Sequence, residues 1–244
     1  NSISFSLQML TNTGSTPLGI QVGDIDIDGR PDIVVANSGS NSLSVFRNVS
    51  TLSSLSFTAS TPTAVGTTPS ALALGDIDRD GKVDIVVANT GSSNSYVLKN
   101  NSTIGTISLG LSATLTMASG GSPRSLALAD FNGDGFLDIV SGSPSSSAVD
   151  LFRSTSTTGT IGFAGATFIG GLPAVSSLSV GDIDGDGMVD IGVSSSSNNA
   201  LYVLRNVSSS STLIFTFVPD IAVGTASGVT SLAVGDLNAD SMPD

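Results

Sequence analysis

Cysteine, histidine, tryptophan and glutamate are absent from this chain of 244 residues, and tyrosine occurs only twice. General acid–base chemistry would therefore fall to Asp150, Asp220, Tyr96, Tyr202 or a lysine. The sequence shows no partner for Asp150, and paired carboxylates occur only in the aspartate-rich segments described below, so no enzymatic activity is expected. The lack of cysteine leaves the redox compartment open. The scarcity of tryptophan and tyrosine, which stack on sugars, argues against a lectin. Only 8 basic residues are present, too few for a nucleic-acid surface. No apolar run approaches the ~20 residues of a membrane span. Apolar residues nevertheless make up 39% of the chain and mean hydropathy is +0.33, enough for a sizeable core.

What is present is aspartate. All 20 acidic residues are Asp, and all but Asp150 and Asp220 fall in five short segments. Numbered from the first Asp, positions 1, 3, 5 and 9 are Asp24, Asp26, Asp28 and Asp32 in the first segment and Asp76, Asp78, Asp80 and Asp84 in the second. They are Asp130, Asn132, Asp134 and Asp138 in the third, Asp182, Asp184, Asp186 and Asp190 in the fourth, and Asp236, Asn238, Asp240 and Asp244 in the fifth. Position 6 is glycine in four of the five and Ser241 in the last. Carboxylates crowded in this way repel one another, and a hard cation with a flexible oxygen shell, Ca2+ above all, relieves the repulsion. The net charge of -12 then reads as metal-site charge rather than as a signal for a basic partner.

The segments begin at 24, 76, 130, 182 and 236, a period near 53 residues that suits one four-stranded propeller blade. Small residues alternating with Leu, Ile or Val precede each Asp loop, as in 18–23, and predict a crowded inner strand. A short apolar run such as Asp32-Ile33-Val34-Val35-Ala36-Asn37 follows and predicts a strand buried on both faces. The third predicted strand ends on a basic residue, Arg47, Lys99, Arg153 or Arg205, always 23 residues after the first Asp. The fourth, as in 55–58 and 213–216, is a variable outer edge. The expected fold is all-β: a β-propeller-type array of four-stranded antiparallel blades, four complete repeats with partial pieces at both ends. The expected boundaries are a fourth-strand piece at 1–16, blades at 17–62, 69–115, 123–168 and 175–220, and a partial blade at 228–244. The absence of an initial Met and the ending on a loop position lead us to expect a processed piece or a fragment.

The pattern D-x-[DN]-x-D-G-x-x-D between two strands, at this period, resembles the FG-GAP (VCBS-type) repeat family, the calcium-loop blades of integrin α-subunit propellers and many secreted proteins. The resemblance implies one Ca2+ per loop, up to five, with side-chain oxygens from positions 1, 3, 5 and 9. It also implies a backbone carbonyl from position 7, here Arg30, Lys82, Phe136, Met188 and Met242. Ser241 departs from the pattern, so the fifth site is expected to be the weaker one. An EF-hand is excluded because position 12 holds Val35, Val87, Ser141 or Val193 rather than Glu, and the flanks read as strands.

Asn48, Asn100, Asn101 and Asn206 head N-x-[ST] sequons and are candidate glycosylation sites, against the alternative that Asn and Ser are turn formers. Arg47, Lys99, Arg153 and Arg205 form a ring in a propeller. They either bind an anionic ligand or offset nearby aspartates. The functional expectation is an extracellular, calcium-stabilised, non-catalytic adhesion or recognition module with a protein or glycan ligand. The alternatives are a self-assembling structural subunit of a filament, sheath or surface layer, paired through its terminal strands, or an accessory domain of a larger secreted enzyme.

Overall fold

In the computed structural model, residues 13–222 and 228–236 are described. They form four antiparallel sheets in chain order, with no α-helix among them. The first sheet contains β1 (Pro17–Gly23), β2 (Asp32–Asn37), β3 (Ser42–Asn48) and β4 (Phe57–Ala59), with the short β5 (Thr63–Ala64) also on β3. The second contains β6 (Pro69–Gly75), β7 (Asp84–Asn89), β8 (Asn94–Asn100) and β9 (Leu109–Thr116). The third contains β10 (Ser125–Ala129), β11 (Asp138–Ser143), β12 (Ala148–Phe152) and β13 (Thr167–Ile169). The fourth contains β14 (Val175–Gly181), β15 (Asp190–Ser195), β16 (Ala200–Asn206) and β17 (Phe215–Ala222). Each of the first four Asp loops joins the first and second strands of a sheet. The N-terminal fourth-strand segment and most of the fifth Asp loop lie outside the described residues.

The apolar core lies between blades rather than within them. Val34, Leu43 and Val45 of the first blade pack with Leu72, Ile85 and Leu98 of the second. Val86 and Val97 meet Ile139 and Phe152. Val140, Val149 and Leu151 meet Leu178, Ile191 and Leu204. Period-2 alternation supplies both interfaces from a single strand: in β7, Ile85 and Val87 face the first blade while Val86 faces the third. Close approach also demands small residues. A Cβ on Gly142 in β11 would lie 2.6 Å from Val175 of the next inner strand.

Three details differ from what the sequence suggests. The fourth strands begin later than expected, at Phe57 and Phe215, because the preceding residues close a tight turn. Thr51 and Ser54 bridge in the first blade, and Ser209 and Thr212 do so in the fourth. The third strands run on to Asn48, Asn100 and Asn206, whereas β12 ends at Phe152, before Arg153. Asp150 also has a partner that the sequence did not reveal. It is fully buried, and its carboxylate accepts hydrogen bonds from the Ser119 amide at 2.8 Å and the Ser119 hydroxyl at 2.5 Å. Burial raises its pKa, and both oxygens are engaged in joining two segments of the fold.

Candidate metal centre

The loops are wound by their own carboxylates. The position-1 side chain accepts from the amide of position 6: Asp24 from Gly29 (2.8 Å), Asp76 from Gly81 (2.9 Å), Asp130 from Gly135 (2.7 Å) and Asp182 from Gly187 (2.8 Å). These glycines have φ between 84° and 89°, a left-handed conformation that side chains resist. The position-5 carboxylate accepts from the amide of position 7, as Asp80 does from Lys82 at 3.0 Å.

Position 9 opens the second strand and is fully buried in all four blades. One of its oxygens accepts from the amide of position 2: Asp32 from Ile25, Asp84 from Ile77, Asp138 from Phe131 and Asp190 from Ile183. The other accepts from the residue after the basic position: Asn48, Asn100, Ser154 and Asn206, at 2.7–2.9 Å. This carboxylate thus ties the loop to the end of the third strand. Burial raises the pKa of Asp32, and it pushes Asp84 and Asp138 up to about 6. A carboxyl whose folded pKa lies above its unfolded value of 3.8 favours folding below that value. The advantage is lost as pH rises through about 6. In EDTA, therefore, the melting temperature should fall between about pH 4 and pH 7. A melting temperature that is flat or rises over that range would contradict this.

Three of the four described loops gather carboxylates. Oxygens of Asp24, Asp26 and Asp32 lie within 4.8 Å of one another, as do those of Asp76, Asp78 and Asp84 and those of Asp182, Asp184 and Asp190. In each trio one buried oxygen has no hydrogen-bond partner: Oδ1 of Asp26, of Asp78 and of Asp182. An unpaired buried carboxylate oxygen is costly, and a divalent ion is a natural occupant for it. The residues therefore fit the Ca2+ expected from the sequence.

Position 5 stands outside these trios. Asp28 pairs with Arg30, Asp80 lies 3.1 Å from Lys99, and Asp186 lies 2.9 Å from Arg205. The third loop differs again, because Asn132 replaces a carboxylate. Its amide donates to Asp134 at 3.0 Å and to the Ser210 carbonyl at 3.1 Å. Position 7 of the four described loops is Arg30, Lys82, Phe136 and Met188. Of the fifth loop, Asp236 is described, while Asn238, Asp240, Met242 and Asp244 lie outside the described residues.

The basic ring mostly offsets aspartate. Arg47 lies 3.6 Å from Asp26, Lys99 pairs with Asp78, and Arg205 pairs with Asp184. The loops also fasten neighbouring blades, which the sequence did not disclose. Asp26 accepts from the amide of Gly105 in the next blade at 2.9 Å. The backbone carbonyl of Asp78 accepts from the Gly159 amide at 2.9 Å. In the first three loops the position-3 residue thus touches the turn between the third and fourth strands of the following blade.

The sequons have a structural role. Asn48, Asn100 and Asn206 are buried, and each side-chain oxygen accepts from the amide two residues on: Ser50, Ser102 and Ser208. Asn100 donates its amide hydrogens to Val83 and to Ile25 of the preceding blade. Asn206 does the same with Val189 and Phe131. A glycan on either nitrogen is incompatible with these bonds, and the Asn48 nitrogen is likewise engaged by Pro31. Among the four candidates, only Asn101 has an exposed side chain. A signal was available: the third blade carries Ser154-Thr155-Ser156 at this position and keeps the turn without Asn, through a 3.2 Å bond from the Ser156 amide to the Ser154 hydroxyl.

No curated protein sequence matches the chain. Among solved structures, it is similar to BBS1N in complex with ARL6DN, in a mercury-soaked crystal. That match has 14% identity and a TM-score of 0.54 and covers 84% of this chain and 54% of that one. A lead-soaked crystal of the same complex gives 16% identity and a TM-score of 0.52, covering 84% and 57%. The chain thus spans little more than half of those chains, and at such identity the likeness concerns the fold alone. The FG-GAP-like repeat model matches residues 24–87, 76–141 and 130–193, each match running from the first Asp of one loop into the second strand of the next blade. Together these matches span more than half of the sequence, and the chain belongs to the FG-GAP-like repeat family.

Proposed function

We propose that this chain is a calcium-stabilised, non-catalytic recognition module that works outside the cell, where its blades present a rigid surface to a protein or glycan ligand. The observation that carries the calcium reading is the unpartnered buried oxygen in each carboxylate trio of the first, second and fourth loops. Positions 1, 3 and 9 of those loops would hold the ion, completed by the position-5 carboxylate and the position-7 carbonyl. The ion would supply charge neutralisation and leave little open for substrate. The third loop, one carboxylate short, would bind more weakly. An extracellular location is the reading that goes with an affinity on the order of 10–100 µM, since sites of that affinity need calcium well above cytosolic levels. A protein ligand is supported by the fold likeness to BBS1N, which was solved in complex with ARL6DN.

Titration calorimetry of EDTA-stripped protein tests the calcium reading. At least three ions per chain should bind with Kd on the order of 10–100 µM, and Mg2+ should bind far more weakly, because it demands a rigid octahedral shell. The reading would be abandoned if no calcium-specific heat appeared.

A second reading, assembly of blades from several copies, is supported by the open face of the first blade. Ile20 and Val22 of β1 are 63% and 59% exposed. The equivalent residue to Ile20 in the next blade, Leu72, is 5% exposed because it packs on the preceding blade.

A further inference from the structure

The repeats act as internal controls for one another, and one cation fails the comparison. In the first, second and fourth blades the basic residue that follows the third strand's apolar run lies against carboxylates of its own loop. In the third blade it does not. Asn132 replaces the position-3 carboxylate and draws Asp134 onto its own amide at 3.0 Å. Among the described residues Arg153 has no carboxylate within 4.0 Å. Among the described residues its guanidinium makes one hydrogen bond, to the Ser154 carbonyl at 3.2 Å, and its other donors meet no acceptor. Arg153 lines a cleft of about 190 Å³ between the outer parts of the third and fourth blades. The other walls include the hydroxyl residues Thr167, Ser211 and Thr212 and the apolar Leu213.

We propose that this cleft is a carboxylate-binding site, in which Arg153 takes both oxygens of the ligand and the hydroxyls of Thr167, Ser211 and Thr212 supply further hydrogen bonds. A planar guanidinium with free donors matches a carboxylate in a bidentate arrangement, and the paired blades show that this ring position attracts carboxylates. The ligand's carboxylate is that of an acidic side chain of a protein, because the cleft offers no aromatic ring to stack on a sugar; a uronic acid of a glycan is the other outcome of the test. The inference deepens the recognition reading but does not depend on the calcium reading, since it rests on the Arg153 guanidinium and the lining of the cleft.

The test uses the full chain in calcium, labelled with nitrogen-15, whose six arginines give at most six side-chain Nε signals. One arm is titrated with glucuronate and the other with a blocked tetra-aspartate peptide. The expected result is a saturable shift of the Arg153 Nε signal and of the Ser211 and Thr212 amides, with a Kd on the order of millimolar in at least one arm. The arm that saturates first identifies the source. R153Q should abolish the response. N132D should weaken binding by about tenfold, because it restores the carboxylate that occupies the equivalent cation in the other blades. The N132D and R153Q spectra also report folding, so a lost response in a folded variant is distinguishable from unfolding. No saturable shift at Arg153 in either arm, or a response that survives both substitutions, overturns the proposal.

Discussion

Chelation of calcium should lower the melting temperature by about 10–30 °C. At millimolar calcium and a Kd on the order of 10–100 µM, each occupied site contributes about 1.4–2.7 kcal/mol. The three carboxylate trios together then contribute about 4–8 kcal/mol, comparable with the whole stability of an ordinary domain. For a chain of this size each kcal/mol moves the midpoint by about 2–4 °C. Structure concentrates the effect further. Asp26 belongs to a trio and its Oδ2 accepts from the Gly105 amide of the next blade, while its Oδ1 has no partner, so loss of an ion from this loop should loosen an inter-blade contact as well. Calorimetric scans in millimolar CaCl2, in MgCl2 and in EDTA measure it. Equal midpoints in calcium and EDTA would remove calcium from the account of this fold.

The second large effect separates the structural role of the buried aspartates from metal binding. Asp84→Ala should destabilise the protein by about 2–5 kcal/mol even in EDTA, whereas Asp80→Ala should cost less than about 1 kcal/mol there. Asp84 is fully buried and satisfies two amides from different segments, Ile77 and Asn100. Removing it leaves both donors unsatisfied, at about 1–3 kcal/mol each, partly offset because a buried carboxylate is itself strained above its raised pKa. Asp80 makes one local amide bond to Lys82 and a partly exposed ion pair with Lys99. Urea unfolding of both variants in EDTA decides the matter. If the two are equally stable, position 9 serves only the metal.

The loops were legible because they are local. An Asp at position 1 reaches the amide of position 6, and the left-handed turn there asks for glycine, so spacing and residue type together encode the loop. The strand order was legible for the same reason, since each blade is built from neighbours in sequence. Position 5 was less so: whether Asp80 turns toward the trio or toward Lys99 depends on a side chain 19 residues away. The sequons were ambiguous because N-x-S encodes a turn as readily as a glycan acceptor. Only burial of Asn100 and Asn206 distinguishes the two.

By itself, then, the sequence determined the blades, their period and the carboxylate loops, because those depend on contacts closed within a few residues and on a pattern repeated along the chain. Tertiary structure alone decided that the core lies between blades and that Asn100 staples one blade to the loop before it. It also decided that, among the described residues, Arg153 is left without a carboxylate while its counterparts are paired. These features join residues some 75 positions apart or depend on which neighbour a buried group meets, as the 75-residue separation of Asn100 and Ile25 shows. Local propensity carries no information about such pairs; the stacking of one blade on the next creates them.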